Sequence, residues 1–159
     1  MNELPVEYLK MNRREFLRFC GVIAGMLGLS ELHIPRIARA IEESASRPPV
    51  IWLNFSSDSG CMESFMKTTY PSIERVLLEL LSLEFNQTIQ AAAGHQAEAA
   101  LYGAVEKYRE QYVCVVEGGV PTAGGGNWLT IAGKPGVDVL LEVAKDAAVI
   151  LAVGSCAYD

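Results

Sequence analysis

The chain has 159 residues, half of them hydrophobic, and a formal charge of −6 at pH 7. That length suits one ordinary domain with a real core and is short for two. The acidic balance excludes an electrostatic case for nucleic-acid binding, and the charge is uneven: residues 1–40 carry six Lys/Arg and four Asp/Glu, residues 41–159 seven and fifteen.

The basic leader comes first in chain order. Asn12-Arg13-Arg14-Glu15-Phe16-Leu17-Arg18 resembles the twin-arginine export consensus of a polar residue, two arginines, a variable residue, Phe, Leu and a basic residue. A Gly- and Ala-containing apolar run follows from Phe19 to Leu32. It is too short to serve as a mature membrane span, which needs about 20 apolar residues. Ala38-Arg39-Ala40 is a small-x-small cleavage signal, so Ile41 is the expected mature N-terminus and residues 1–40 the expected signal peptide. The twin-arginine route carries proteins already folded, so the expected destination is the periplasm or the outer face of the cytoplasmic membrane, and the expected cargo a folded metalloprotein.

The mature chain alternates strand and helix. Glu42–Pro49 is a polar lead-in whose Pro48-Pro49 disfavours helix. Val50–Phe55 reads as a buried strand and Ser56–Gly60 as a turn-rich loop. Met62–Leu81 reads mainly as helix, interrupted near Tyr70-Pro71, with Ser82–Phe85 a short strand. Gly94–Glu110 is a second helix, Tyr112–Val116 a second buried strand, and Glu117–Gly126 a glycine-rich loop. Trp128–Ile131 is a short strand, Gly136–Ala144 a third helix and Ala147–Val153 a third apolar strand, ending in Gly154-Ser155-Cys156. This alternation predicts an α/β fold with a parallel sheet covered on both faces. Ligands of such sheets sit beyond the carboxyl ends of the strands, so the loops 56–61, 117–126 and 154–159 are expected on one edge.

Four cysteines are present: Cys20, Cys61, Cys114 and Cys156. Removing the leader takes Cys20 and leaves an odd number, which argues against full disulfide pairing. Asp58 and Cys61 stand three positions apart in one loop, and Cys156 follows a strand expected to end on the same edge. Thiols so placed grip an iron-sulfur cluster, while a carboxylate is a harder and less usual ligand; alone, the pattern equally describes structural thiols beside a solvated aspartate. Gly154 and Ser155 allow close backbone approach and offer N–H and O–H groups to cluster sulfur. Cys114, mid-strand between valines, reads as a small core residue. His95 reads as a polar residue at a helix start, and Glu117 as a surface loop residue, with proton relay or partner contact the alternative. The Gly124-Gly125-Gly126 run is not a phosphate loop, since no Lys-Ser or Lys-Thr follows it.

These segments together carry a family resemblance. R-P-P-V-I-W-L at 47–53, G-C-M-E-S at 60–64, A-A-A-G-H-Q-A-E at 91–98, V-V-E-G-G-V-P-T at 115–122 and V-G-S-C-A at 153–157 resemble the successive hallmarks of [NiFe]-hydrogenase small subunits. The resemblance implies a flavodoxin-like, doubly wound domain over residues 41–159 that binds the proximal [4Fe–4S] cluster. It implies a partner large subunit carrying the Ni–Fe site, electrons from H₂ oxidation passing through the cluster, and a membrane cytochrome or other redox partner beyond. Mapped residue by residue, the family's first loop, cysteine-x-glycine-cysteine, falls on Asp58, Ser59, Gly60 and Cys61, so Asp58 replaces the first cysteine. Cys156 matches the next ligand. The last proximal ligand, in a proline-glycine-cysteine-proline motif, and the cysteine-rich part for further clusters are not in this sequence. The expected metal ligands are thus Asp58, Cys61 and Cys156, with Asp58 either an oxygen ligand or a carboxylate that swings away to leave an open iron site. The chain is expected to be a fragment rather than a truncated gene product. Two other readings stand beside this one: a flavodoxin-like domain holding a flavin or other small ligand, and an inert fragment without a cofactor.

Overall fold

A computed structural model of the chain describes residues 12–26, 29–42 and 47–158. In chain order these form α1 (Arg13–Met26), a 3₁₀ turn (Glu31–His33), α2 (Ile34–Glu42), β1 (Pro49–Asn54), α3 (Gly60–Met66), α4 (Ile73–Arg75) running into a π turn (Val76–Leu80), and β2 (Ser82–Asn86). Then follow α5 (His95–Lys107), β3 (Val113–Glu117), a 3₁₀ turn (Ala123–Gly126), the hairpin strands β4 (Thr130–Ile131) and β5 (Lys134–Pro135), α6 (Gly136–Ala144), β6 (Val149–Val153) and α7 (Ser155–Tyr158). The chain divides into two compact units, Met1–Arg47 with Glu74–Ser82, and Pro48–Ile73 with Leu83–Asp159. Residues 1–11 and 27–28 of the expected leader, 43–46 of the lead-in, and Asp159 lie outside the described residues.

The second unit is built on a sheet of order β2-β1-β3-β6. β1 pairs parallel with β3, and β3 parallel with β6. Counting only sheet strands, this is the 2-1-3-4 order of the flavodoxin-like doubly wound fold. The period of two along each strand sorts the side chains. Ile51 and Leu53 of β1, Phe55 just after it, and Cys114 and Val116 of β3 join Leu101, Ala104 and Val105 of α5 and Val139 and Val143 of α6 in the main core. Tyr112 is fully buried there and its hydroxyl donates to the Val143 carbonyl. The alternate residue Trp52 meets α3, its ring 5.3 Å from that of Phe65. The β4–β5 hairpin is tied to α5 and α6 by Lys134, whose ammonium sits 2.8 Å from Glu142, while the Tyr102 hydroxyl donates to the same carboxylate at 2.7 Å.

The predicted elements form, with three differences. The helix predicted over Met62–Leu81 is interrupted where expected, by a turn at 67–72 with a cis Tyr70–Pro71 peptide, but its second half is a short α-helix running into a π turn. Trp128–Ile131 supplies only two strand residues, paired to Lys134-Pro135. The third difference concerns cover: the sheet is expected to be covered on both faces, and among the described residues β6 lies at an edge with Val149, Ile150 and Leu151 51–55 % exposed. An apolar run reports a strand but not how much packs against it.

Candidate functional site

The three polar loops emerge together at the carboxyl ends of β1, β3 and β6, and they are stitched to one another. Ser56 donates its N–H to the Gly119 carbonyl at 3.0 Å and Gly119 returns one to Ser56 at 3.3 Å. The approach is so close that a Cβ at Gly118, whose φ is +87°, would stand 2.7 Å from the Ser56 carbonyl carbon. At the β6 end, Gly154 has φ +80° and a Cβ there would lie 2.7 Å from the Cys61 Sγ. Glycine is required at both positions on steric and conformational grounds. The Cys61 thiol donates to the Val153 carbonyl at 3.8 Å. Cys61 and Cys156, 95 positions apart in sequence, therefore reach the same rim.

The loop that presents Cys61 is itself constrained. Asp58 accepts the N–H of Gly60 at 2.9 Å, and Ser59 holds the left-handed conformation with φ 63°, uncommon for a residue with a Cβ. α3 then starts at Gly60. Its first-turn N–H groups have no partners within the helix, and the carboxylate that takes them comes from β3. Glu117 Oε1 accepts from Cys61 N at 3.2 Å and Met62 N at 3.4 Å. Its Oε2 accepts from Trp52 Nε1 at 2.9 Å and Asn54 Nδ2 at 2.8 Å. Glu117 is 1 % exposed, so the expectation of a surface loop residue is corrected. Four donors converge on this carboxylate, which is how an acidic group is held in a buried place. The register explains the meeting: Asn54 pairs with Glu117 and Trp52 with Val115 on the face that carries α3.

Glu117 is the residue that sequence reasoning undervalued. Its one signal was a carboxylate closing an otherwise apolar strand at the expected site edge. Its position also bears on chemistry. A phosphate bound after β1 would need the first N–H groups of α3, and Glu117 already holds them, which argues against a flavin phosphate there.

Cys61 is half-buried and Cys156 exposed. Burial pushes the Cys61 thiol above its ordinary value, and the nearby Glu117, Asp58 and Cys156 push it the same way. All three expected ligands thus lie in one electrostatic neighbourhood. As folded, however, Asp58 is engaged with Gly60, and among the described residues no group of three His, Cys, Asp or Glu side chains is disposed to hold a metal ion. The Cys61 sulfur lies beside the Gly154 backbone at the rim that also carries Cys156, while the Asp58 carboxylate is held in its own turn. Cys114 is fully buried, and burial pushes its thiol up to about 11, as suits a core residue. His95 opens α5 as expected, facing solvent with its ring 3.6 Å from Glu98.

Comparison with known proteins bears directly on this geometry. Residues 59–159 match the family model described as NADH ubiquinone oxidoreductase, 20 Kd subunit. The chain belongs to that family. It is 40 % identical over 146 residues to the hydrogenase-2 small chain of Escherichia coli strain K12, 92 % of this chain and 39 % of that one. It is 43 % identical to the uptake hydrogenase small subunit of Azotobacter vinelandii over 92 % of this chain and 41 % of the relative. With the periplasmic [NiFe] hydrogenase small subunit of Solidesulfovibrio fructosivorans it shares 38 %, over 92 % and 46 %. Among solved structures, the [NiFeSe] hydrogenase of Desulfovibrio vulgaris Hildenborough superposes with a TM-score of 0.65 at 36 % identity, over 69 % of this chain and 41 % of that one. The resemblance read from the motifs is borne out, as is the fold; the chain spans less than half the length of these relatives.

Proposed function

We propose that this chain is the proximal-cluster domain of the electron-transferring small subunit of a [NiFe] hydrogenase, paired with a large subunit that carries the Ni–Fe site. The observation that carries the reading is the meeting of Cys61 and Cys156 at one sheet rim, with Gly154 leaving the Cys61 sulfur uncovered. Cys61 and Cys156 would hold two corners of a [4Fe–4S] cluster, with Asp58 a third candidate ligand. A cluster so held supplies one-electron carriage between the partner's metal site and an onward acceptor, such as a membrane cytochrome. The protein's own part is positional. Glu117 pins the first turn of α3 and so fixes where Cys61 stands; the Ser56–Gly119 stitch holds the two loops together. The basic leader belongs to the same reading, as a twin-arginine signal that delivers the folded subunit to the periplasmic side.

The test uses the complete small and large subunits. Cys61→Ser and Cys156→Ser should each remove the proximal-cluster EPR signal and lower iron content by about one cluster. Retention of both in either variant would refute ligation at that position. Asp58→Ala should change the spectrum or the potential if the carboxylate binds iron, and an unchanged EPR signal would take Asp58 off the ligand set. Replacing Arg13 and Arg14 by lysine should stop export; undiminished export would remove the twin-arginine reading.

A further inference from the structure

The first unit holds a feature that an export signal does not require: the leader is folded against the Val76–Leu80 turn of the same unit. Asn12 accepts the N–H of Arg14 at 3.1 Å and of Glu15 at 3.0 Å, and Glu15 accepts the Asn12 N–H at 3.0 Å. That reciprocal pair is a capping box and starts α1 inside the arginine motif itself. α1 and α2 then close a small core in which Cys20, Ala24 and Ile37 are almost wholly buried together with Leu78 of the π turn. Phe16, Ile23, Leu29, Ile34, Ala38 and Ile41 pack around it. An ion pair sets the register, Arg36 to Glu79 at 2.7 Å. Arg47, beyond the expected cleavage point, donates to the Leu77 and Leu81 carbonyls and so ties down the π turn. Meanwhile Arg14, Leu17 and Arg18 stay exposed.

We infer that the Val76–Leu80 turn is an intramolecular docking face for the unprocessed leader, and that undocking from Leu78 must precede cleavage after Ala40. Two observations support the second half. The expected scissile bond, Ala40–Ile41, lies within α2 (Ile34–Glu42), and proteases act on backbone that has locally opened. The apolar side of the leader, which a membrane or a peptidase would need, is the side held against Leu78, whereas the arginine side remains open to a receptor. The leader is thereby readable before it is releasable. The docking itself does not depend on the twin-arginine reading; its role in processing does.

Hydrogen exchange and processing of the complete, unprocessed precursor test this. Ile37→Asp changes only the leader, so the folded domain is left intact. It should raise amide exchange across residues 13–26 and 34–42 by about ten-fold or more, the scale expected from losing one buried isoleucine. Leu78→Asp should do the same from the other side and speed cleavage after Ala40 by a similar factor. Charge exchange should be reciprocal: Glu79→Arg alone loosens the leader, and adding Arg36→Glu restores part of its protection. A wild-type leader that exchanges as fast as an isolated peptide, or protection unchanged in Ile37→Asp, would overturn the docking. Faster exchange with unaltered cleavage in Leu78→Asp would overturn the claim that undocking limits processing. Replacing Arg13 and Arg14 by lysine should leave exchange unchanged, so a failure of the export reading is seen separately.

Discussion

Strands β3 and β6 are neighbours, run parallel in register from Val113↔Val149 to Glu117↔Val153, and both are mainly apolar. β3 is sealed: Cys114, Val115, Val116 and Glu117 are all at most 5 % exposed. β6 stands at the edge with its apolar side chains half in solvent. One strand therefore buries a carboxylate while the other leaves a leucine in water. What packs on each differs most: β3 lies between β1 and β6 and under α3, α5 and α6, whereas among the described residues β6 has a strand on one side only. The site inherits the contrast, since Cys61 is anchored through Glu117 to a buried central strand and Cys156 follows an exposed one.

This contrast can be broken at its strongest point first. Glu117→Ala leaves four donors without their acceptor and should lower unfolding stability by about 3–5 kcal/mol in chemical denaturation. A loss below about 1 kcal/mol would show that the carboxylate does not hold the site together. Glu117→Gln, which keeps the shape but replaces one oxygen by a donor, should cost about 1–3 kcal/mol. Next, the register pair Val115 and Leu151 allows a direct comparison. Val115→Ala should cost about 1.5–3 kcal/mol and Leu151→Ala less than about 0.5 kcal/mol in the 159-residue chain; equal costs would mean that β6 is covered after all. A smaller effect concerns alkaline pH. Burial holds the Cys114 thiol at about 11 and the Tyr112 phenol at about 12, above ordinary values of 9.0 and 10.0. Raised values mean that the folded state keeps its protons longer than the unfolded chain. The associated stability is complete below about pH 9 and is lost as pH rises towards 11 and 12. The midpoint of thermal unfolding should therefore fall through that window, and Cys114→Val should flatten the part between 9 and 11. Smallest in energy but simple to read, native-state alkylation at pH 8 should label Cys156 and spare Cys114 in the cofactor-free chain.

The order of strand and helix, the one edge shared by three polar loops, the core role of Cys114 and the family resemblance were legible in the residues themselves. Each rests on local chemistry: periodicity shows which segments are strands, and alternation of strand with helix dictates parallel pairing and hence a common rim. Three things waited for the tertiary structure. Glu117 looked like a loop residue because nothing near it in sequence supplies its donors; Trp52, Asn54, Cys61 and Met62 reach it only once β1 and β3 are in register. β6 looked buried because hydrophobicity is a property of residues, whereas cover is a property of neighbours. The core that Cys20, Ala24 and Ile37 share with Leu78 joins segments forty or more residues apart, and no pattern within either one names the other.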